Sequence, residues 1–230
     1  MYEVRFYKGD YRERQRKANE DDCICYVEHH FNSSSSPSAN YTVVITGSNA
    51  SQTSKNWGRW YAQSVAREFD LRLGGDQGIK IGGYNGRGDD NLRLTEMPAI
   101  LLEPLFASNP QHAEWIRSDE RQSWLARILC ESIQRFFQHG GLVAFSVGHK
   151  YKTSRPNDLG AKVYGGGFEA EYAEAVLEKA RTMLEEIETL QEEREIKVVQ
   201  GDEVLWKQAL DPDADITWDP VCCVLRIKQS

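Results

Sequence analysis

The sequence contains no long apolar run and no basic stripe along its 230 residues, and these absences exclude several classes of protein. No segment reaches the roughly 18 apolar residues that a membrane-spanning helix needs. The formal net charge is −7, which argues against a protein that binds nucleic acid. The composition is that of an ordinary soluble globular protein, so we expect no nucleic-acid partner and no membrane insertion.

The sequence also lacks a secretory signal and a disulfide framework. Its first residues have no apolar core of the kind that signal peptides carry, so we expect a protein made in the cytoplasm. The cysteines are odd in number and show no framework spacing, which favours reduced thiols. They are Cys23, Cys25, Cys130, Cys222 and Cys223. The first two could bind a metal, but alternate positions on one strand explain "CICYV" better.

Apolar segments rich in β-branched residues recur along the chain and alternate with helical patterns. The segments are "YEVRFY", "CICYVEHHF", "YTVVITG", "PAILLEPLF" and "LVAFSVG". Runs that are apolar almost throughout are typical of strands covered on both faces. The sequence therefore predicts an α/β domain with a largely parallel central sheet and helices on both faces.

Several helices have clear boundaries or a clear apolar face. Asn109 followed by Pro110 is a strong helix start. A long helix is expected from about Glu169 to Glu193. Four aromatic and aliphatic residues at intervals of four predict the buried face of an earlier helix; they are Trp57, Tyr61, Val65 and Phe69. The inward side of the long helix is expected to hold Tyr172, Val176, Ala180, Met183 and Ile187.

The last part of the chain differs from the rest and is expected to form a small appendage. Residues 1–194 would form the main domain, and residues 195–230 a β-rich tail packed on or beside it. The tail contains two strand-like pieces, "EIKVVQG" and "CCVLRIK", which could pair as a hairpin.

Four short segments each place a residue suited to metal binding or acid–base chemistry at the end of a predicted element. They hold Glu28-His29-His30, Glu103, His149 and Glu169, the last of which opens the long helix. A lone histidine is more often a surface residue than a ligand, and the helix dipole alone favours a glutamate in a first turn. Glu103 is harder to explain structurally, because a carboxylate within "PAILLEPLF" is costly to bury unless it is paired or functional.

Together these segments resemble the zinc-dependent N-acetylmuramoyl-L-alanine amidases, a family of cell-wall hydrolases. That family has Gly-His after its first strand and a glutamate opening its first helix. Ala-Asn, His-x-Asn and Leu-x-Glu-x-x-Phe-x-x-Asn motifs follow. All are present here, over roughly residues 2–190, in "SVGHKY", "GGGFEAEYAE", "RKANEDD", "EHHFN" and "AILLEPLFASN".

The order of these motifs is rotated relative to the family. The two motifs that open the family sequence, with His149 and Glu169, come last in this chain. The sequence thus resembles a circular permutation, in which Gly140-Gly141 joins the family's last helix to its first strand. The termini of compact domains usually lie close together at the surface, so such a rearrangement is tolerated.

The resemblance implies a Zn²⁺ site with His30, His149 and Glu169 as ligands and one open position. It also implies that Glu103 is the catalytic base that activates zinc-bound water. The substrate would be peptidoglycan, cut at the amide bond between N-acetylmuramic acid and L-alanine of the stem peptide. Two polar loops, "SSSSPSAN" and "GGYNGRGDDN", are candidates for the walls of the substrate groove.

Some alternatives stay open at this stage. His29 or Glu171 could replace a proposed ligand. The chain could be another zinc amidohydrolase or peptidase of similar fold, or a non-catalytic module that binds cell walls. Without a signal peptide, we expect a phage-type lytic enzyme that reaches the bacterial wall after release or by a dedicated export route. The oligomeric state is left open.

Overall fold

The predicted apolar segments form a central sheet together with two short strands. The computed structural model describes residues 1–192, 195–200, 203–209, 215–219 and 224–228, with side chains described through residue 186. The strands up to the last helix are β1 (Tyr2–Phe6), β2 (Cys25–His29), β3 (Tyr41–Thr46), β4 (Arg72–Leu73), β5 (Ile79–Ile81), β6 (Gly83–Tyr84), β7 (Arg87–Gly88), β8 (Ala99–Glu103) and β9 (Gly141–Val147). The α-helices are α1 (Tyr11–Glu20), α2 (Gln52–Phe69), α3 (Pro110–Arg117), α4 (Asp119–Phe136) and α5 (Glu169–Glu192).

The sheet has seven strands in the order β1-β9-β2-β8-β3-β4, and β5 also pairs with β3. Every pair in it is parallel except β3 with β8, which is antiparallel. The prediction of a largely parallel sheet is confirmed. The short strands β6 and β7 form a separate antiparallel hairpin in the second glycine-rich loop.

Helices cover both faces of this sheet, as predicted. Side chains alternate between the faces of a strand. Val143 and Phe145 on β9 join the large core cluster, which includes buried residues of α2, α4 and α5. Ala144, between them, joins the cluster on the other face, which contains Ala18 of α1. The predicted buried stripe of α2, from Trp57 to Phe69, lies in the large cluster.

Helix α3 begins where the sequence predicted. The side chain of Asn109 accepts hydrogen bonds from the backbone N–H groups of Gln111 and His112, at 2.9 and 3.2 Å, and Pro110 occupies the first turn. Helix α5 begins at Glu169, also as predicted, while Ile187 lies beyond the residues whose side chains are described. Among the described residues, no helix is sufficiently long and apolar to cross a lipid bilayer.

The expectation that Cys23 and Cys25 share one strand is wrong. A turn at Asp22, whose φ is 52°, delays the start of β2 until Cys25. Cys23 therefore joins the smaller core cluster, and its sulfur lies 3.1 Å from the Tyr7 hydroxyl. Both thiols, and that of Cys130, are free and buried. Cys222 and Cys223 lie outside the described residues.

The chain divides into two compact units, residues 1–185 and 186–230. This division falls within α5, before the boundary at residue 194 that the sequence suggested. Residues of α5 up to Leu184 are buried in the core of the first unit, which accounts for the earlier division. In the second unit, β10 (Glu195–Gln200) pairs with β11 (Glu203–Ala209), and β12 (Asp215–Asp219) pairs with β13 (Val224–Lys228). The two predicted pieces, now β10 and β13, therefore have different partners and do not form one hairpin.

Candidate metal centre

The candidate residues gather at one edge of the sheet. Strands β9, β2 and β8 are parallel neighbours, so their carboxyl ends meet at the same edge. His149 follows β9, His30 follows β2, and Glu103 is the last residue of β8. In open α/β sheets this edge is the usual position of a ligand site.

Two histidines and one glutamate converge at this edge. Nδ1 of His30 lies 3.1 Å from Oε1 of Glu169, and Nε2 of His149 lies 3.0 Å from the same oxygen. One ligand atom from each of the three residues lies within 4.8 Å of the others. The structure thus brings together the three side chains that the resemblance implied as metal ligands, although they come from distant parts of the chain.

Two glycines allow this close approach. A Cβ atom at Gly148 would lie 2.4 Å from the His30 ring, so no larger residue fits without displacing that histidine. At Gly160 a Cβ atom would lie 2.5 Å from the Glu169 side chain and 2.6 Å from the His149 ring. Gly160 also has a φ of +73°, a conformation that glycine adopts without strain.

Each histidine is held by a second carboxylate through its other ring nitrogen. Nε2 of His30 lies 2.8 Å from Oε1 of Glu28, and Nδ1 of His149 lies 2.9 Å from Oδ1 of Asp158. Metal-binding histidines almost always have such a partner, which fixes the tautomer and the ring orientation. Both rings therefore present their remaining nitrogen toward Glu169, and the donor set fits a divalent cation.

The protonation of the cluster agrees with a site built for positive charge. Burial would raise the pKa of Glu169, but hydrogen bonds from His149 and His30 outweigh it and lower the pKa to about 2. Burial would also lower the pKa of His30, but its hydrogen bonds with Glu169 and Glu28 raise the pKa well above 6.5. The carboxylates around His30 thus favour a cation here, whether a proton or a metal ion.

The pKa of Glu103 is shifted in the opposite direction to that of Glu169. Burial raises its pKa from 4.5 to about 7, and the positive charge of His30 only partly offsets that effect. Its Oε2 is buried and has no hydrogen-bond partner among the described residues. A carboxylate with an unengaged oxygen and a pKa near neutrality is suited to accept and release a proton.

A cavity of about 910 Å³ opens beside these residues, and Glu103 and the three clustered side chains line it. Ser33 and Ser34, from the first predicted loop, form part of its wall. Tyr84–Gly88, from the second loop, form another part. The two loops thus lie where the sequence analysis placed the walls of a substrate groove.

The two alternative ligands lie outside the cluster. His29 points to the opposite face of β2, where its ring packs at 5.0 Å on Phe31 and burial lowers its pKa to about 3. Glu171 is exposed, and its carboxylate accepts a hydrogen bond of 2.9 Å from the backbone N–H of Phe168 at the start of α5.

Sequence reasoning assigned no role to Glu28 or Asp158. A signal for Glu28 was present, because a charged residue in the apolar segment "CYVEHH" raises the same question as Glu103. The signal for Asp158 was weaker. It lies two residues before Gly160 in a polar loop, and only the folded chain brings it to His149.

Residues 3–135 match the family model described as N-acetylmuramoyl-L-alanine amidase. The chain belongs to the N-acetylmuramoyl-L-alanine amidase family. The match spans more than half of this amidase-family chain and includes His30 and Glu103. It ends before β9, so His149 and Glu169 follow the matched region.

Solved amidase structures resemble the chain over a similar share of its length. The catalytic domain of CwlV from Bacillus (Paenibacillus) polymyxa var. colistinus is 25% identical, with a TM-score of 0.47, over 56% of this chain and 66% of that one. The amidase from Clostridium difficile 630 is 22% identical, with a TM-score of 0.49, over 57% and 67%. Ami1 from Mycobacterium smegmatis is 17% identical, with a TM-score of 0.46, over 55% and 60%. The chain thus spans about two thirds of the length of these structures or somewhat less. No curated protein matches it.

Proposed function

We propose that the chain hydrolyses the amide bond between N-acetylmuramic acid and L-alanine of the peptidoglycan stem peptide, with Zn²⁺ held by His30, His149 and Glu169. The observation that carries this proposal is the convergence of these three side chains at the cavity that Glu103 lines, in a chain of the amidase family. The proposed place of action is the bacterial cell wall.

The donor set supports zinc. Two histidines and one glutamate are a common ligand set of catalytic zinc sites, in which one position stays open for water or substrate. When bound, Zn²⁺ supplies a Lewis acid that polarises the amide carbonyl and lowers the pKa of water to about 7. Glu28 and Asp158 keep the two rings oriented for this task.

Glu103 is the proposed general base. Its carboxylate takes a proton from the attacking water and delivers it to the departing amide nitrogen. Because its Oε2 has no partner among the described residues, that oxygen is available for both transfers. A bound cation near Glu103 would lower its pKa below about 7, so that the carboxylate form dominates at neutral pH.

We further infer that the chain is a circular permutation of the family arrangement. In a β-α-β unit, a helix connects two parallel strands. Strand β9 pairs in parallel with β1, and Oε1 of Glu185 on α5 accepts a hydrogen bond from the backbone N–H of Val4 at 3.4 Å. The elements β9, α5 and β1 therefore have the placement of such a unit, although β1 comes first in the chain.

A rearranged chain tests this inference. It would begin at Gly141, run to Glu185 and continue through a short Gly-Ser linker into residues 1–140. We expect it to fold and to bind zinc with an affinity close to that of the original chain. A folded rearranged chain without zinc affinity would contradict the permutation.

The decisive test of function combines metal analysis with mass spectrometry of peptidoglycan digests. We expect about one zinc per chain, and products in which the stem peptide has a free L-alanine amine. Cleavage of short peptides without release from the wall would favour a different amidohydrolase. Binding to walls without products would favour a non-catalytic module.

The Glu103→Gln variant separates catalysis from metal binding. Glutamine has nearly the same shape but cannot take the proton, so we expect normal zinc content and a loss of turnover of at least about 100-fold. The readout is the rate of peptide release from muramyl peptides. Near-normal turnover in this variant would remove Glu103 from the mechanism.

A further inference from the structure

A buried network of hydrogen bonds lies behind His30, at the ring nitrogen that does not face Glu169. Its centre is Glu28, whose side chain is fully buried. Oε1 of Glu28 lies 2.8 Å from His30 Nε2 and also accepts from Asn91 Nδ2. Oε2 accepts from the Ser146 hydroxyl at 3.0 Å and from the Tyr26 hydroxyl at 3.3 Å. Both carboxylate oxygens are therefore engaged.

Arg14 supplies the opposite charge for this network. It is fully buried, and its guanidinium donates to the Ser146 hydroxyl at 2.8 Å, so one hydroxyl group links it to Glu28. It also donates to the backbone carbonyls of Val147, at 2.7 Å, and Lys150, which flank the Gly148-His149 step. One buried cation thus braces the carboxylate behind His30 and the chain segment that carries His149.

We propose that Glu28 is a positioning residue for the metal centre: it accepts a hydrogen bond from His30 Nε2 so that Nδ1 is presented as a ligand, and Arg14, acting through Ser146, holds the Glu28 carboxylate in place. This inference rests on the proposed function, because it assigns Glu28 a task toward the ion. A carboxylate acceptor on the far nitrogen of a ligating imidazole fixes its tautomer and raises its basicity.

Burying the Glu28 carboxylate destabilises the folded chain unless the charge is paired or has a functional role. A buried carboxylate without compensating partners is strongly unfavourable, so an apolar residue at this strand position would be the simpler choice for stability. The side chains around Glu28 donate to both of its oxygens, so neither oxygen is free to accept a proton from a substrate or water. Glu28 therefore stabilises His30, while Glu103 remains the residue with an unengaged oxygen.

The test measures zinc affinity in Glu28 variants by competition with a chromophoric chelator. Glu28→Gln retains an acceptor oxygen but lacks the charge, and we expect the dissociation constant for Zn²⁺ to rise about tenfold. Glu28→Ala lacks the acceptor, and we expect a rise of about 100-fold. Tyr26→Phe is the matched control, since it removes only the weakest contact to Glu28, and we expect its affinity to stay within about twofold of the original.

A spectroscopic readout distinguishes positioning from general support of the fold. In ¹⁵N–¹H spectra of the zinc-loaded protein, we expect a slowly exchanging proton on His30 Nε2 that persists in Glu28→Gln and is lost in Glu28→Ala. A merely structural Glu28 would lower the melting temperature and leave this signal and the zinc affinity of the folded protein unchanged.

The outcomes separate this inference from the function on which it rests. If the original chain binds zinc and Glu28→Gln binds it equally well, the inference is overturned while the proposed zinc enzyme stands. If Glu28→Ala does not fold, Glu28→Gln alone decides the question. If the original chain binds no zinc, the proposed function and this inference fall together.

Discussion

The two histidines of the candidate metal centre have equivalent hydrogen bonds but different surroundings. His30 directly follows a central strand, and its side chain is 8% exposed above a Glu28 side chain with no exposure. His149 lies on a loop in the left-handed region, with φ of 62°, and its side chain is 29% exposed beside an Asp158 that is 21% exposed. The centre therefore has two unlike sides. The buried side, formed by His30, Glu28 and Glu103, is called the strand side, and the more open side, formed by His149 and Asp158, is called the loop side.

The difference separates two tasks. On the strand side, burial raises the pKa of Glu103 to about 7, a value suited to a base. On the loop side, burial alone would raise the pKa of Asp158, but hydrogen bonds from Lys152 and His149 outweigh it and hold the pKa well below its ordinary value. The strand side thus has the more fixed geometry and holds the proposed base, and the loop side has a charged, solvent-accessible support.

The largest expected effect is at Glu169, the one residue shared by both sides. Its Oε1 lies within 3.1 Å of both facing ring nitrogens, so Glu169→Ala removes the group that joins them. We expect zinc content to fall from about one per chain to near zero, measured by mass spectrometry of the metal. Glu171→Ala is the matched control, since that carboxylate only caps α5. Unchanged zinc in Glu169→Ala would refute the ligand set.

The next largest effect is expected at Gly148, where the two sides meet. An alanine there would place a methyl group 2.4 Å from the His30 ring, which must then move away from Glu169. We expect zinc affinity to fall at least about tenfold, as for the loss of a supporting residue, with the far-UV circular dichroism unchanged. Normal zinc affinity in this variant would show that the His30 ring can adjust to the added methyl group, and the strand side would then not be rigid.

Much of the fold and the site could be predicted from local sequence signals. Strand runs, the cap at Asn109 and the start of α5 at Glu169 all depend on neighbours in sequence, and the structure has them where expected. Other features depend on contacts that the folded chain makes and that no local sequence signal shows. The antiparallel pairing of β3 with β8 has no local signature, and Asp158 reaches His149 only because the intervening loop folds back. The family motifs identify the candidate ligands, whereas the hydrogen-bond network of Glu28 arises from packing between distant segments.

The burial of Glu103 on the strand side should also be measurable as stability of the metal-free protein. Its pKa in the folded chain, about 7, lies above its ordinary value of 4.5, so the unfolded chain releases this proton first. The free energy of unfolding therefore falls as pH rises from about 4.5 through about 7, by up to about 3 kcal/mol. We expect Glu103→Gln to remove this loss, so that its stability advantage in urea titrations is larger at pH 8 than at pH 4. An advantage that does not change with pH would contradict the raised pKa.

The smallest expected effect is at Asp158, the counterpart of Glu28 on the loop side. Asp158→Asn keeps an acceptor for His149 Nδ1 but loses the ion pair with Lys152, which lies 2.9 Å from Oδ2. Because water reaches this side and screens charge, we expect the dissociation constant for Zn²⁺ to rise by less than about tenfold, and by less than in Glu28→Gln. The same chelator competition measures both variants. If Asp158→Asn lost as much zinc affinity as Glu28→Gln, burial would not distinguish the two supporting carboxylates. The strand side and the loop side would then contribute equally to zinc binding.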